Sequence, residues 1–393
     1  MKNKNFLFLV ALWVCSCNEL EHQNESLDYR ILKKYEIDLS SRNQYIHSQL
    51  QFLDSCTIVA LDRNFRKLDI ISICDERFEK SILLQDDGSD KVYPVSSFFY
   101  HSVDSIFLFS LDALTVQLID TSSHVSKEWR LQNLVFPDKV FEQVVGSNGI
   151  FYPFSLTQNG MFHLPFNFDQ SKNCLIFNIT PQSEFIDFKD RKTFYSSPLV
   201  GTYSLENSSF ISFTGAWPEI YKADETPNNP FNNLAFDDKH NFLVNFYNSD
   251  KVFSSEKNDF YRISSNYFDE RYTLFSIDSE ADYTTEQELN AFHKDEGYVN
   301  LVFDPFKRLY YRIAKHSNDN LEKENSHRME AEWSIIVFNE NFVVLGEVLM
   351  PKKNYNFLQI LPTKSGLLVS KENIYSPTNN EELYEFDLIE ITL

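Results

Sequence analysis

Val299-Asn300-Leu301-Val302-Phe303 runs into the turn Asp304-Pro305 and then into Leu309-Tyr310-Tyr311-Arg312-Ile313. β-Branched and aromatic residues dominate both runs and a turn separates them, so the stretch reads as strand, turn, strand. A looser copy lies upstream. Val244-Asn245-Phe246 leads to Phe260-Tyr261-Arg262-Ile263, and the two Tyr-Arg-Ile runs stand 50 residues apart. That spacing suits one step of a propeller, whose blades run about 40–50 residues.

Outward from this stretch the pattern repeats. Thr57–Leu61, Lys67–Ile73, Ser105–Phe109, Thr115–Ile119, Cys174–Ile179, Ser209–Phe213 and Ser334–Phe338 are short apolar runs of strand character. Helical patterning is scarce: Thr284 to Lys294 carries a capping box, Thr284 with Gln287, and Asn320 to Ala331 reads as a charged excursion. A tandem of β-sandwiches would need a linker near the middle. The nearest candidate, Glu225 to Asn233, reads as one long loop. The expectation is an all-β chain folded as a β-propeller over residues 28–393. Its ring closes by pairing the strand-like ends Asp28–Leu39 and Leu383–Thr392, which removes an exposed sheet edge.

Composition narrows the function. The 393 residues carry 57 acidic and 36 basic side chains, a net charge of −21. Phosphate contacts need clustered Lys and Arg, so no nucleic-acid partner is expected. With 37 Phe, 20 Tyr and 4 Trp the chain has the material for a large core, and the rings are expected to fill the seams between blades. Only 9 glycines are present, too few for Gly-rich phosphate loops and few for propeller turns, where Asp and Asn are expected to take over.

Residues 1–16, MKNKNFLFLVALWVCS, form a leader with Lys2 and Lys4 ahead of a short apolar run, too short to span a bilayer. Val14-Cys15-Ser16-Cys17 resembles a lipobox, with Cys17 as the acylated residue. A soluble secreted protein cut nearby is the alternative. Residues 17–27 then read as a lipidated flexible tether. Removing Lys2 and Lys4 with the leader takes the charge from −21 to −23. The expected location is the cell envelope, anchored by lipid to the outer membrane. Of the remaining cysteines, Cys56 and Cys74 flank a hairpin whose turn at Asp62–Phe65 does not place them opposite one another. Buried thiols are therefore expected for Cys56, Cys74 and Cys174, with a 56–74 disulfide the less favoured reading.

The lipobox leader, Asp104-Ser105-Ile106-Phe107-Leu108, Phe303-Asp304-Pro305 with Tyr310-Tyr311-Arg312, and Gly366-Leu367-Leu368-Val369 through Glu385-Phe386-Asp387-Leu388 resemble the Bacteroidota lipoproteins grouped as domain of unknown function 4221. The resemblance covers nearly the whole chain and implies a six-bladed, TolB-like propeller, with seven blades as the alternative. It supplies no activity and no catalytic residues. Where that family often has Gly-Pro-rich turns, this chain has Asp86-Asp87-Gly88-Ser89-Asp90.

Signatures of zinc proteases, α/β-hydrolases, P-loops and dinucleotide folds are absent from the sequence. Asp86–Asp90 is not a calcium loop, since the sixth and twelfth positions hold Lys91 and Ser97. No catalytic residue, metal ligand or cofactor is assigned. Two constellations stand out. Arg262 and Arg312, beside Tyr261 and Tyr311, could converge on the channel and grip a carboxylate or phosphate. The rival reading has each stack on a tyrosine and brace neighbouring blades. Trp217 and Tyr221, before the Pro/Asn-rich segment, could present rings to a saccharide or peptide, or could cap the core. The functional expectation is an envelope-anchored scaffold binding a protein, saccharide or peptide; the alternative is an envelope hydrolase or lyase with its site at the channel mouth.

Overall fold

The computed structural model describes residues 25–38, 48–62, 66–131, 151–152, 166–181, 195–222, 225–227, 232–268, 274–276, 294–317, 328–373, 375–376 and 383–393. Six four-stranded antiparallel sheets form the blades. Blades 1 to 5 begin on inner strands Gln49–Phe52, Ser97–Ser102, Phe166–Asp169, Asn232–Phe236 and Gly297–Asp304. They end on outer strands Arg77–Leu83, Val125–Arg130, Ser209–Thr214, Asp259–Arg262 and Val344–Met350. Blade 6 takes Ile360–Pro362, Leu367–Ser370 and Leu383–Thr392 from the C-terminal end and Asp28–Asp38 from the other. The closing pair runs from Asp28 opposite Thr392 to Asp38 opposite Leu383. The protein is thus a six-bladed propeller closed by its two end strands.

The middle strands explain the continuous apolar runs. Lys67–Ser72, Cys174–Asn178 and Leu309–Lys315 are buried at every position, because a neighbouring blade covers each face. Outer strands such as Arg77–Leu83 are largely exposed. Among the described residues, buried apolar side chains form six clusters, and each cluster fills one seam between adjacent blades. The many rings therefore serve the packing of blade on blade, as the composition suggested.

The tight turns manage without glycine by one device. In Ser72–Glu76, Ser110–Leu114, Asp169–Asn173, Ser204–Ser208, Ser254–Asn258 and Asp304–Arg308, the first side-chain oxygen accepts the N–H three residues on. The fifth residue of each takes a left-handed φ between 48° and 56°. Asp and Ser hold the turn through this local bond, which lets Asn, Ser and even Leu or Arg occupy a position that otherwise favours Gly.

Several expectations are corrected. Cys56 and Cys74 form a disulfide, with Cα atoms 5.1 Å apart. The hairpin register does set Cys56 against Ile73, whose N–H donates to the Cys56 carbonyl. Beyond the strand, however, the turn capped by Ser72 folds Cys74 back towards Cys56. Among the described residues Cys174 is the free thiol, buried and with its pKa raised by burial. The last tether residues are not a loose spacer: Leu27 N donates to Glu347 O and Glu347 N to Glu25 O, both at 2.9 Å. The supposed loop at 225–233 contains a strand, Glu225–Pro227, paired with Leu274–Ser276. The helix expected at Thr284–Lys294 lies almost wholly outside the described residues. In the excursion at 320–331, Arg328–Glu330 is a 3-10 turn.

The 50-residue echo compares unlike strands. Phe260-Tyr261-Arg262 sits on the outer strand of blade 4, whereas Leu309–Ile313 sits on the second strand of blade 5. The inner strands of these blades start at Asn232 and Gly297, 65 residues apart.

Candidate functional site

The inner strands of blades 1, 4, 5 and 6 enclose a channel cavity of about 180 Å³. Its polar wall is built from side-chain amides that stitch one blade to the next. Gln49 Nε2 donates to Phe98 O at 2.8 Å while its Oε1 accepts Phe98 N–H at 3.0 Å, and Gln51 clasps Tyr100 in the same way. Each amide thus continues a strand ladder across a seam, which satisfies backbone groups that the gap between sheets would otherwise strand.

At one end the channel opens into a mouth of about 660 Å³, formed where the inner strands of blades 1, 4, 5 and 6 turn outward. Phe52, Phe236, Phe303, Pro305, Phe306 and Pro362 line it together with three leucines. The carboxylates around it are committed to structure. Asp54 Oδ1 accepts the Cys56 and Thr57 N–H groups, Asp237 caps the turn to Asn241, and Asp238 pairs with Arg308 at 2.9 Å. The Cys56–Cys74 disulfide adjoins the turn Leu53–Ser55 that forms one wall. Rings and prolines therefore form the apolar part of this concave surface, with Gln51, Ser55, Thr363 and Lys364 beside them.

The residues singled out in the sequence lie elsewhere. Arg312 is 0% exposed, on the face of blade 5 that meets blade 4. Its Nε donates to Asn245 Oδ1 at 2.7 Å, NH1 donates to Ile263 O, and NH2 donates to Ser249 O at 2.6 Å. The guanidinium carbon lies 3.5 Å from the ring centroid of Tyr298, whose hydroxyl burial pushes up to about 12. This is the bracing geometry. Arg312 reaches the channel only through a relay: Asn245 donates to Asn233, Asn233 to Asn300, and Asn300 to Leu358 O. Arg262 is 66% exposed in its side chain and pairs with Asp250 at 2.7 Å on the outer rim. The two arginines do not converge, because they stand on different strands of their blades. Tyr311 is buried, its hydroxyl donating to Asp304 Oδ2, and Tyr261 stacks on Phe342 at 3.7 Å. Trp217 and Tyr221 are buried against Tyr195 and Phe246, the core-capping arrangement. Cys17 lies outside the described residues.

One buried cluster went unnoticed in the sequence. Ser334 Oγ lies 2.9 Å from His316 Nε2 and donates to Glu347 Oε1 at 2.5 Å, while Glu347 Oε2 accepts Asn266 N–H at 2.7 Å. Burial lowers His316 to about 4 and raises the Glu347 carboxyl. A serine, a histidine and an acid meet here, yet Ser334 and Glu347 are wholly buried and Tyr267 and Phe268 cover His316. Through Glu347, which also accepts from the Ser265 hydroxyl, the cluster ties blade 5 to the segment that follows blade 4. Its members come from two strands and two connecting segments, with no spacing signal to find them. The mouth was equally silent, since its phenylalanines look like core in a linear reading.

Fold and channel together define a six-bladed β-propeller with an apolar mouth. The chain belongs to the family described as Domain of unknown function (DUF4221), which matches residues 29–349. A member of that family from Bacteroides vulgatus ATCC 8482 superposes with a TM-score of 0.70 at 16% identity, over 94% of this chain and 99% of that one. A protein from Bacteroides fragilis NCTC 9343, described as a candidate exported protein, superposes with a TM-score of 0.52 at 10% identity, over 93% and 96%. No curated protein matches the sequence.

Proposed function

We propose that this chain is an exported lipoprotein, acylated at Cys17 and held on the outer membrane, whose propeller is a scaffold binding apolar side chains of a partner's peptide segment at the channel mouth. The observation that carries the binding role is the 660 Å³ mouth lined by phenylalanine and proline. The mouth's carboxylates, the groups best suited to sugar hydroxyls, are already held by backbone N–H groups and by Arg308, which favours a peptide over a saccharide. Export is supported by the leader and by the Cys56–Cys74 disulfide, a bond that persists in oxidising compartments. The exported description of the Bacteroides fragilis structure agrees with it.

Two measurements test the reading. Labelled palmitate enters the wild-type protein and is lost on Cys17→Ala; equal labelling of both refutes the anchor. The neutral dye N-phenylnaphthylamine brightens with the wild type and loses most of that gain in Phe306→Ser. An unchanged gain removes the mouth as the apolar site.

A further inference from the structure

The segment where the chain enters the ring has an unusual surface. Ten large apolar side chains are exposed among the described residues, and Ile31, Leu32, Leu349 and Leu393 are four of them. The register ties all four to the entry point. Ile31 and Leu32 lie on the closing strand; Leu393 follows Thr392, the partner of Asp28; and Leu349 is two residues beyond Glu347, which pairs with Ser26. Ordinary strand alternation turns one of two neighbours inward. Here Ile31 faces Ile389 and Lys33 faces Leu388, so Leu32 is the extra residue of a bulge. The bulge leaves Ile31 43% and Leu32 40% exposed.

Charge points the same way. In a chain of net charge −21, Arg30-Ile31-Leu32-Lys33-Lys34 carries three cations and no acid. Arg30 pairs with Glu390 at 2.6 Å and Lys33 with Glu76 at 3.1 Å. Asp28 and Glu36 flank the stretch on its own strand. Ion pairs this exposed are weak, so either cation can exchange its carboxylate for a phosphate.

We infer that this basic-apolar rim of blade 6, with the adjoining edge of blade 5, rests on the bilayer surface and contacts anionic phospholipid headgroups. The inference rests on acylation at Cys17. Eight Cα-to-Cα steps lead from Cys17 to Glu25, a reach of at most about 29 Å. A domain of this length has a radius of gyration of about 21 Å, so the tether holds the entry rim near the lipid while blade 3, three blades away, stays clear. Apolar side chains sink into the headgroup boundary and lysines and arginines add attraction to anionic lipid, the pairing found in interfacial segments.

The test uses the mature lipoprotein in vesicles of phosphatidylcholine with one-third phosphatidylglycerol. Ile31→Cys and, as a matched control, Ile211→Cys on blade 3, 47% exposed, are labelled with the environment-sensitive fluorophore NBD. Flotation of the protein with the vesicles reports the anchor. The label at position 31 brightens severalfold and shifts to the blue on vesicle binding, while the label at 211 does not. In the Arg30→Gln, Lys33→Gln, Lys34→Gln background the gain at 31 falls by more than half. A protein that floats with an unresponsive label at 31, or with equal responses at 31 and 211, overturns the rim and leaves the anchor standing. A protein that does not float refutes the anchor, and the rim falls with it.

Discussion

The seam between blades 2 and 3 and the seam between blades 4 and 5 solve one problem with different chemistry. The first is built of rings: Phe107, Phe109, Phe166, Phe168, Phe177 and Phe210 pack with Trp129, with centroid separations such as 4.7 Å for Phe107–Phe168 and 5.5 Å for Phe166–Phe177. Its indole satisfies its one donor on Leu205 O. The second seam also has apolar members, but Arg312, His316, Ser334 and Glu347 are buried within or beside it. A ring seam gains from area and shape, and a similar apolar side chain can replace a ring at modest cost. A polar seam depends on each partner being present, because a buried group that loses its bond bears the full cost of leaving water.

Substitutions can break this contrast. The largest effect is expected for Arg312→Ala, which leaves several buried carbonyls unpaired at about 1–3 kcal/mol each, a total of at least about 5 kcal/mol by denaturant unfolding. Arg312→Lys recovers only a fraction of it, since an ammonium cannot span the carbonyls or stack on Tyr298. If Arg312→Lys is as stable as wild type, the polar seam is not specific. Phe177→Ala on the ring seam is expected to cost about 3–5 kcal/mol, but Phe177→Leu less than about 1.5 kcal/mol. That recovery is the mark of the ring seam.

Acid separates the seams further. His316 has a folded pKa of about 4 against an ordinary 6.5, because burial disfavours its cation. The unfolded chain therefore binds the extra proton between these values. The contribution is complete above pH 6.5 and is lost as pH falls towards 4, about 3 kcal/mol in all. His316→Gln flattens that part of the stability profile, and Phe177→Leu leaves it in place. A separate effect is expected off both seams. Replacing Cys56 and Cys74 together by Ser opens a crosslink with a sequence separation of 18, for about 2–3 kcal/mol. The pH profile keeps its shape, and dye binding at the mouth weakens because the wall at Leu53–Ser55 loosens. A double Ser variant that melts and binds like wild type shows that the crosslink does not hold that wall.

The strands were legible because middle strands of a propeller are covered on both faces, which writes runs such as Cys174–Ile179 directly into the sequence. Ring closure was legible from two strand-like ends. The turn device was half visible: Asp and Asn stand where expected, but Ser does the same work, and Leu114 and Arg308 take the left-handed position without advertising it. The arginines misled because Tyr-Arg-Ile marks a local pattern, not a strand's rank in its blade. The mouth was hidden because a phenylalanine facing a channel and one facing a neighbouring blade have the same linear context.

By itself the sequence determined the all-β class, the closure and the allotment of rings to seams, since these follow from local alternation and composition. Only the tertiary structure decided which strands pair in which blade, that Cys56 meets Cys74, that Arg312 is a brace, and that four blades leave an apolar mouth between them. Those features depend on residues far apart in the chain. Their energies come from contacts across seams, and no local propensity encodes which partner a side chain will meet there.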